Sequence, residues 1–195
     1  MTTALDLAPQ AAEVARVIAG VRDDQLTDPT PCDGTSVAAM LDHFDGLTVA
    51  FRLGAEKSPV EGGASADADH LPADWRERLP AQLDALVAAW DQPAAWEGTT
   101  EVGGVRMPAA AMGVVAANEV LLHGWDLAVA TGQPYAVDPL TAEACLEFNK
   151  GFAVGAPEAR DAMYGPVVQV RDDDPVMDRL LGQTGRDPGW SPPAA

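Results

Sequence analysis

Apolar residues recur at helical spacing in several long stretches of the chain, and together these stretches outline a bundle. Leu7, Ala11, Val14, Ile18 and Val21 form the first stripe, which predicts a helix from about Ala4 to Val21 that ends near Gly20 and the acidic pair behind it. The turn-rich run Asp28-Pro-Thr-Pro-Cys-Asp-Gly-Thr-Ser36 follows. Ser36 is placed to cap a second helix that starts at Val37 and carries Val37, Met40, Phe44, Leu47 and Phe51 on one face. From Gly54 to Pro72 the chain is rich in Gly, Ala, Ser, Pro and Asp without a period, which reads as a long surface loop. A third helix is expected from about Ala73 to Trp90, with Trp75, Leu79, Leu83, Leu86 and Trp90 as its stripe and Gln92-Pro93 as its stop.

Two short runs on either side of Gly103-Gly104, between Trp96 and Met107, predict a small hairpin lying across the helices. The fourth helix, about Pro108 to Ala130, is apolar on nearly every side and is therefore expected at the centre. Thr131-Gly132 ends it, and Asp138-Pro139 opens a fifth helix to about Val154. Beyond it, Pro166 to Val170 reads as a short extended piece, Pro175 to Leu181 as a final turn of helix and residues 188–195 as a loose tail. The expectation is one mainly α domain over residues 1–187: a four-helix bundle with a small hairpin and a fifth, C-terminal helix.

The fourth helix breaks its own apolar pattern. Glu119, His123 and Asp126 fall within a narrow arc at about 100° per residue, the arc that also holds Met112, Ala116, Leu127 and Ala130. A buried carboxylate without a partner costs several kcal/mol, so an acid and an imidazole facing inward call for compensation, and a metal cation supplies it. Glu119 and His123 stand one turn apart. His43, at the edge of the second helix's apolar face, can complete the set from across the bundle seam. Two imidazoles and one carboxylate leave coordination positions open, as in catalytic zinc or non-haem iron sites. Asp126 reads as a group that supports a ligand rather than a fourth ligand. Cys32 precedes the second helix's cap while His43 lies roughly 10 Å along that helix, too far to share an ion unless the loop doubles back. The alternative is a buried Glu119–His123 hydrogen-bonded pair that holds the bundle in register without metal.

Charge narrows the partners. Twelve Lys and Arg stand against 30 Asp and Glu, a formal charge of -18, so nucleic acid and anionic membrane surfaces would be repelled. The five Trp are read as core anchors because no basic groove accompanies them. Only Cys32 and Cys145 are present, without a zinc-finger spacing, and the N-terminus lacks the basic start and apolar run of a signal peptide, so a reducing cytoplasm is the expected compartment. No run of about 18 apolar residues predicts a membrane span. A nucleophile elbow, a phosphate loop and a dinucleotide fingerprint are all missing.

The phrases Thr30-Pro-Cys32, Leu41-Asp-His43, Glu119-Val-Leu-Leu-His-Gly-Trp-Asp126 and Gly185-Arg-Asp-Pro188 resemble the DinB-like metal-binding bundle family over essentially the whole chain. The branch it looks most like is the metal-binding domain of mycothiol-dependent maleylpyruvate isomerase. The resemblance implies a four-helix bundle whose divalent metal is held by a His of the second helix and a Glu and a His of the fourth: His43, Glu119 and His123. It implies zinc, with nickel or iron as other fillings, and activation of a low-molecular-weight thiol for isomerisation or transfer on a small-molecule substrate. A non-catalytic metal-binding structural, sensor or interaction module is the alternative. The substrate, and whether the chain forms a homodimer, stay open at this point.

Overall fold

The computed structural model describes residues 4–58 and 65–193. Part of the expected Gly54–Pro72 loop and the last two residues of the expected tail lie outside the described residues. Helices α1 (Ala8–Gly20), α2 (Val37–Ala55), α3 (Trp75–Trp90) and α4 (Ala109–Ala130) form the bundle, with α1 and α2 each packed on both α3 and α4. The apolar stripes explain this arrangement. Leu7, Ala11, Val14, Ile18 and Val21 are all buried, as are Trp75, Leu79, Leu83, Leu86 and Trp90. Each helix thus turns one stripe inward, while α4 is buried on most of its circumference and fills the centre.

Local chemistry sets the helix starts. Ser36 caps α2 by accepting from the Ala39 N–H at 3.3 Å. Asp138 caps the fifth helix, α5 (Pro139–Gly155), accepting from the Thr141 N–H and hydroxyl at 2.8 Å each. The hairpin pairs β1 (Thr99–Val102) with β2 (Val105–Pro108) in the antiparallel register Val102 to Val105 and Thr99 to Pro108. Its two-residue turn needs positive φ twice, which Gly103 and Gly104 supply at 58° and 79°. The hairpin rests on the end of α2, where the Thr100 hydroxyl donates to the Gly54 carbonyl at 2.6 Å.

Two shorter helices follow α5: α6 (Pro157–Tyr164) and α7 (Val176–Gln183), the latter close to the expected Pro175–Leu181. Helix α6 is not expected from the sequence because eight residues around a Pro start carry no apolar stripe. The stretch from Pro166 to Val170, expected to be extended, forms no strand. Helix α5 packs on α4, and α7 packs on α5, so the C-terminal third covers one flank of the central helix. The fully buried Arg160 bolts this cover together. Its Nε and Nη2 donate to the Gln183 carbonyl at 3.2 and 2.5 Å, and its Nη1 donates to the Gly165 carbonyl. The tail is tied as far as Trp190, whose ring packs against the core. Among the described residues no helix is long and apolar enough to cross a membrane.

Candidate metal centre

The bundle brings His43, Glu119 and His123 to one point. A ring nitrogen of each histidine and a carboxylate oxygen of Glu119 all lie within 4.8 Å of one another. His123 Nε2 stands 3.1 Å from Glu119 Oε2, the one-turn neighbour that the i, i+4 spacing demands. The His43 and His123 rings meet edge to face, with centroids 5.1 Å apart and planes at 86°.

Each imidazole is oriented by its far nitrogen. His43 Nδ1 lies 3.0 Å from the Ser65 carbonyl oxygen, an atom that only accepts, so Nδ1 carries the proton and Nε2 is left as a lone pair. The segment with Ser65 is held in turn by Asp42, which accepts from the Ser65 hydroxyl at 2.6 Å and the Asp67 N–H at 3.0 Å. On the other ring, His123 Nδ1 stands 2.9 Å from Asp126 Oδ2. Both arrangements aim Nε2 at the shared point, the outer support that ligating histidines have in metal sites.

Asp126 has a second partner that the sequence did not assign. Arg186, from the loop after α7, donates through Nε to Asp126 Oδ1 at 2.9 Å and through Nη2 to Oδ2 at 2.8 Å, a two-pronged pair with Asp126 fully buried. Arg186 also donates to the Thr184 carbonyl at 3.3 Å. The expected segregation of Cys32 from the site changes as well, because the 28–36 loop does double back: Pro29 bridges Ser36, and the Thr30 N–H donates to the Thr35 carbonyl at 3.0 Å. Cys32 Sγ then lies 3.3 Å from Asp126 Oδ2. Cys32, His123 and Asp126 also cluster within ligand reach of one another, but both Asp126 oxygens already accept from a guanidinium, so this group supports His123 rather than offering a cation site.

Charges alternate along this line, from the Glu119 carboxylate through His123 and Asp126 to Arg186. Burial pushes the His123 pKa down, but Asp126, Cys32 and Glu119 together outweigh it and raise the pKa well above the ordinary value, so the metal-free ring is charged near neutral pH. For Asp126 burial pushes upward, and the Arg186 charge and hydrogen bonds reverse this, holding the carboxyl well below the usual range. For Glu119 burial is again the largest single influence and pushes upward, but the His123 hydrogen bond and charge, with the charges of Arg186 and His43, together outweigh it and lower the pKa. His43 moves the other way: burial first, and the neighbouring His123 charge second, lower its pKa and keep it neutral. Metal-free, the array balances two negative charges with two positive ones.

A cleft of about 580 Å³ opens over this point, lined by His43, Glu119 and His123 together with Cys32, Tyr164 and Arg186. Two nitrogen donors and one oxygen donor on rigid helices, with the remaining directions facing a cleft, fit a divalent ion such as zinc or iron with room for a ligand. Tyr164 and Arg186 come from the C-terminal cover. Only Arg186 had a sequence signal, as the one strongly basic residue of the Gly185-Arg-Asp-Pro188 phrase.

The family model described as the mycothiol maleylpyruvate isomerase N-terminal domain matches residues 7–128. That stretch holds α1 to α4 nearly entire and with them Cys32, His43, Glu119, His123 and Asp126, but not Tyr164 or Arg186. Uncharacterized proteins from two strains of Mycobacterium tuberculosis are each 32% identical over 136 residues, 64% of this chain and 65% of the relative. The chain thus spans just under two thirds of the length of these curated relatives. No solved structure matches it.

Proposed function

This chain belongs to the mycothiol maleylpyruvate isomerase N-terminal domain family, and from that premise we propose that it is a cytoplasmic metal-dependent enzyme acting through a low-molecular-weight thiol. His43, Glu119 and His123 hold the ion, zinc in the first instance. The observation that carries this reading is the convergence of two outward-tethered imidazoles and a carboxylate on one point at the floor of a cleft. A divalent ion there supplies Lewis acidity, lowering the pKa of a thiol or water so that the anion forms near neutral pH.

The chain's own residues do the rest. Asp126 and Ser65 fix the two rings, and Arg186 keeps Asp126 ionised. The reaction class that suits this equipment is isomerisation or transfer on a thiol adduct of a small molecule. When the zinc-loaded chain is titrated with a simple alkyl thiol at pH 7, one equivalent is expected to bind per chain. The His43→Ala, His123→Ala double variant should bind none. Equal uptake by both proteins, or none by the wild type, removes the thiol function.

A further inference from the structure

A row of buried amides fixes the direction of one hydroxyl at the cleft wall. The Cys145 carbonyl oxygen can only accept, so the Asn149 group beside it, 2.8 Å away, is the Nδ2 amide. The same Nδ2 donates to Asn118 Oδ1 at 2.8 Å. This orientation holds although it leaves Asn149 Oδ1 without a partner, because the flipped amide would set that oxygen against two acceptors. With Oδ1 of Asn118 engaged, its Nδ2 must face the Tyr164 hydroxyl, and it does so at 3.1 Å. The tyrosine oxygen therefore accepts, and its own proton is unspent: among the described residues no side chain or carbonyl receives it.

Tyr164 ends α6 and lines the cleft over the histidines. Its ring meets Phe152 edge to face with centroids 6.5 Å apart. The backbone is held too, since any side chain at Gly185 would overlap the Tyr164 carbonyl, and Arg160 bolts the end of α6 to the end of α7. Burial, and after it the Glu119 charge, raise the hydroxyl's pKa, so the group keeps its proton to donate.

We propose that Tyr164 is a specificity-determining residue of the cleft, donating its hydroxyl proton to a carboxylate oxygen of the small molecule bound beside His43, Glu119 and His123. The inference rests on the thiol function proposed above and narrows its ligand: a thiol or thiol adduct that carries a carboxylate, in preference to an uncharged alkyl thiol. A carboxylate oxygen only accepts and is the stronger acceptor for being charged, so a hydroxyl locked as a donor in the cleft wall favours it over an apolar tail.

The test titrates the zinc-loaded full chain with 3-mercaptopropionate and with propanethiol, in the wild type and in Tyr164→Phe. The phenylalanine keeps the ring and its contact with Phe152. Expected are tighter binding of the carboxylate thiol by the wild type and about a tenfold loss for it in Tyr164→Phe, the size of one hydrogen bond to a charged group. Propanethiol binding should be unchanged, which also reports that the variant is folded. Equal weakening of both thiols, or of neither, overturns this inference alone. Failure of the wild type to bind propanethiol overturns it together with the function on which it rests.

Discussion

Replacing Arg186 with alanine is expected to cost about 3–5 kcal/mol of folding stability, the toll of leaving one member of a buried ion pair without its partner. Asp126 is fully buried and takes both Arg186 donors, so the variant strands a carboxylate whose remaining contacts are His123 and the weakly donating Cys32 thiol. Arg186→Lys should recover only part, since a lysine offers a point charge where the pair uses two prongs. Arg186→Met combined with Asp126→Asn should be milder than Arg186→Ala, because it removes both charges. The Asp126 pKa is depressed in the folded chain, so its contribution is present above the ordinary carboxyl range and fades as pH falls through the depressed value. Urea unfolding of the three variants at pH 7 measures this. A loss below about 1 kcal/mol for Arg186→Ala would show the pair to be as weak as a surface contact.

Metal binding at pH 7 is expected to release about one proton per ion. In the metal-free chain His123 is charged and its Nε2 is turned toward Glu119, so the proton there must leave before the nitrogen can act as a ligand. His43, already neutral, releases none. The sign follows for stability as well. A folded-state pKa raised above the ordinary value gives stability that is complete below that ordinary value and is lost as pH rises through the raised one. The metal-free chain should therefore weaken on the alkaline side, where ion affinity improves. Calorimetric titration in buffers of different ionisation enthalpy reads the proton count as a slope, expected near one. A slope of zero would mean that His123 is neutral before the ion arrives.

The bundle was legible because its stripes are local. A residue such as Leu83 or Val14 announces its face within one helix, and the i, i+4 relation of Glu119 and His123 is fixed by helix geometry alone. His43 could be added because a seam position on α2 faces α4. The partners that complete the site lay beyond that logic. Arg186 stands 60 residues from Asp126 in sequence and reaches it only because α5 and α7 fold back over α4. Tyr164 belongs to a short helix without a stripe, and the direction of its hydroxyl depends on amides in two other helices. Distance along α2 set Cys32 apart from His43 unless its loop doubled back, and the looping of residues 28–36 does bring it to Asp126 and to the wall of the same cleft. Periodicity reads faces; closure of distant loops it does not read.

The central claim is that His43, Glu119 and His123 form one ion site, and the metal content of the purified chain tests it most directly. Protein prepared without added metal is expected to carry about one divalent ion per chain, as read by elemental analysis. The His43→Ala, His123→Ala double variant, shown to be folded by its unfolding transition, is expected to carry essentially none. Equal metal content in the two proteins would contradict the account.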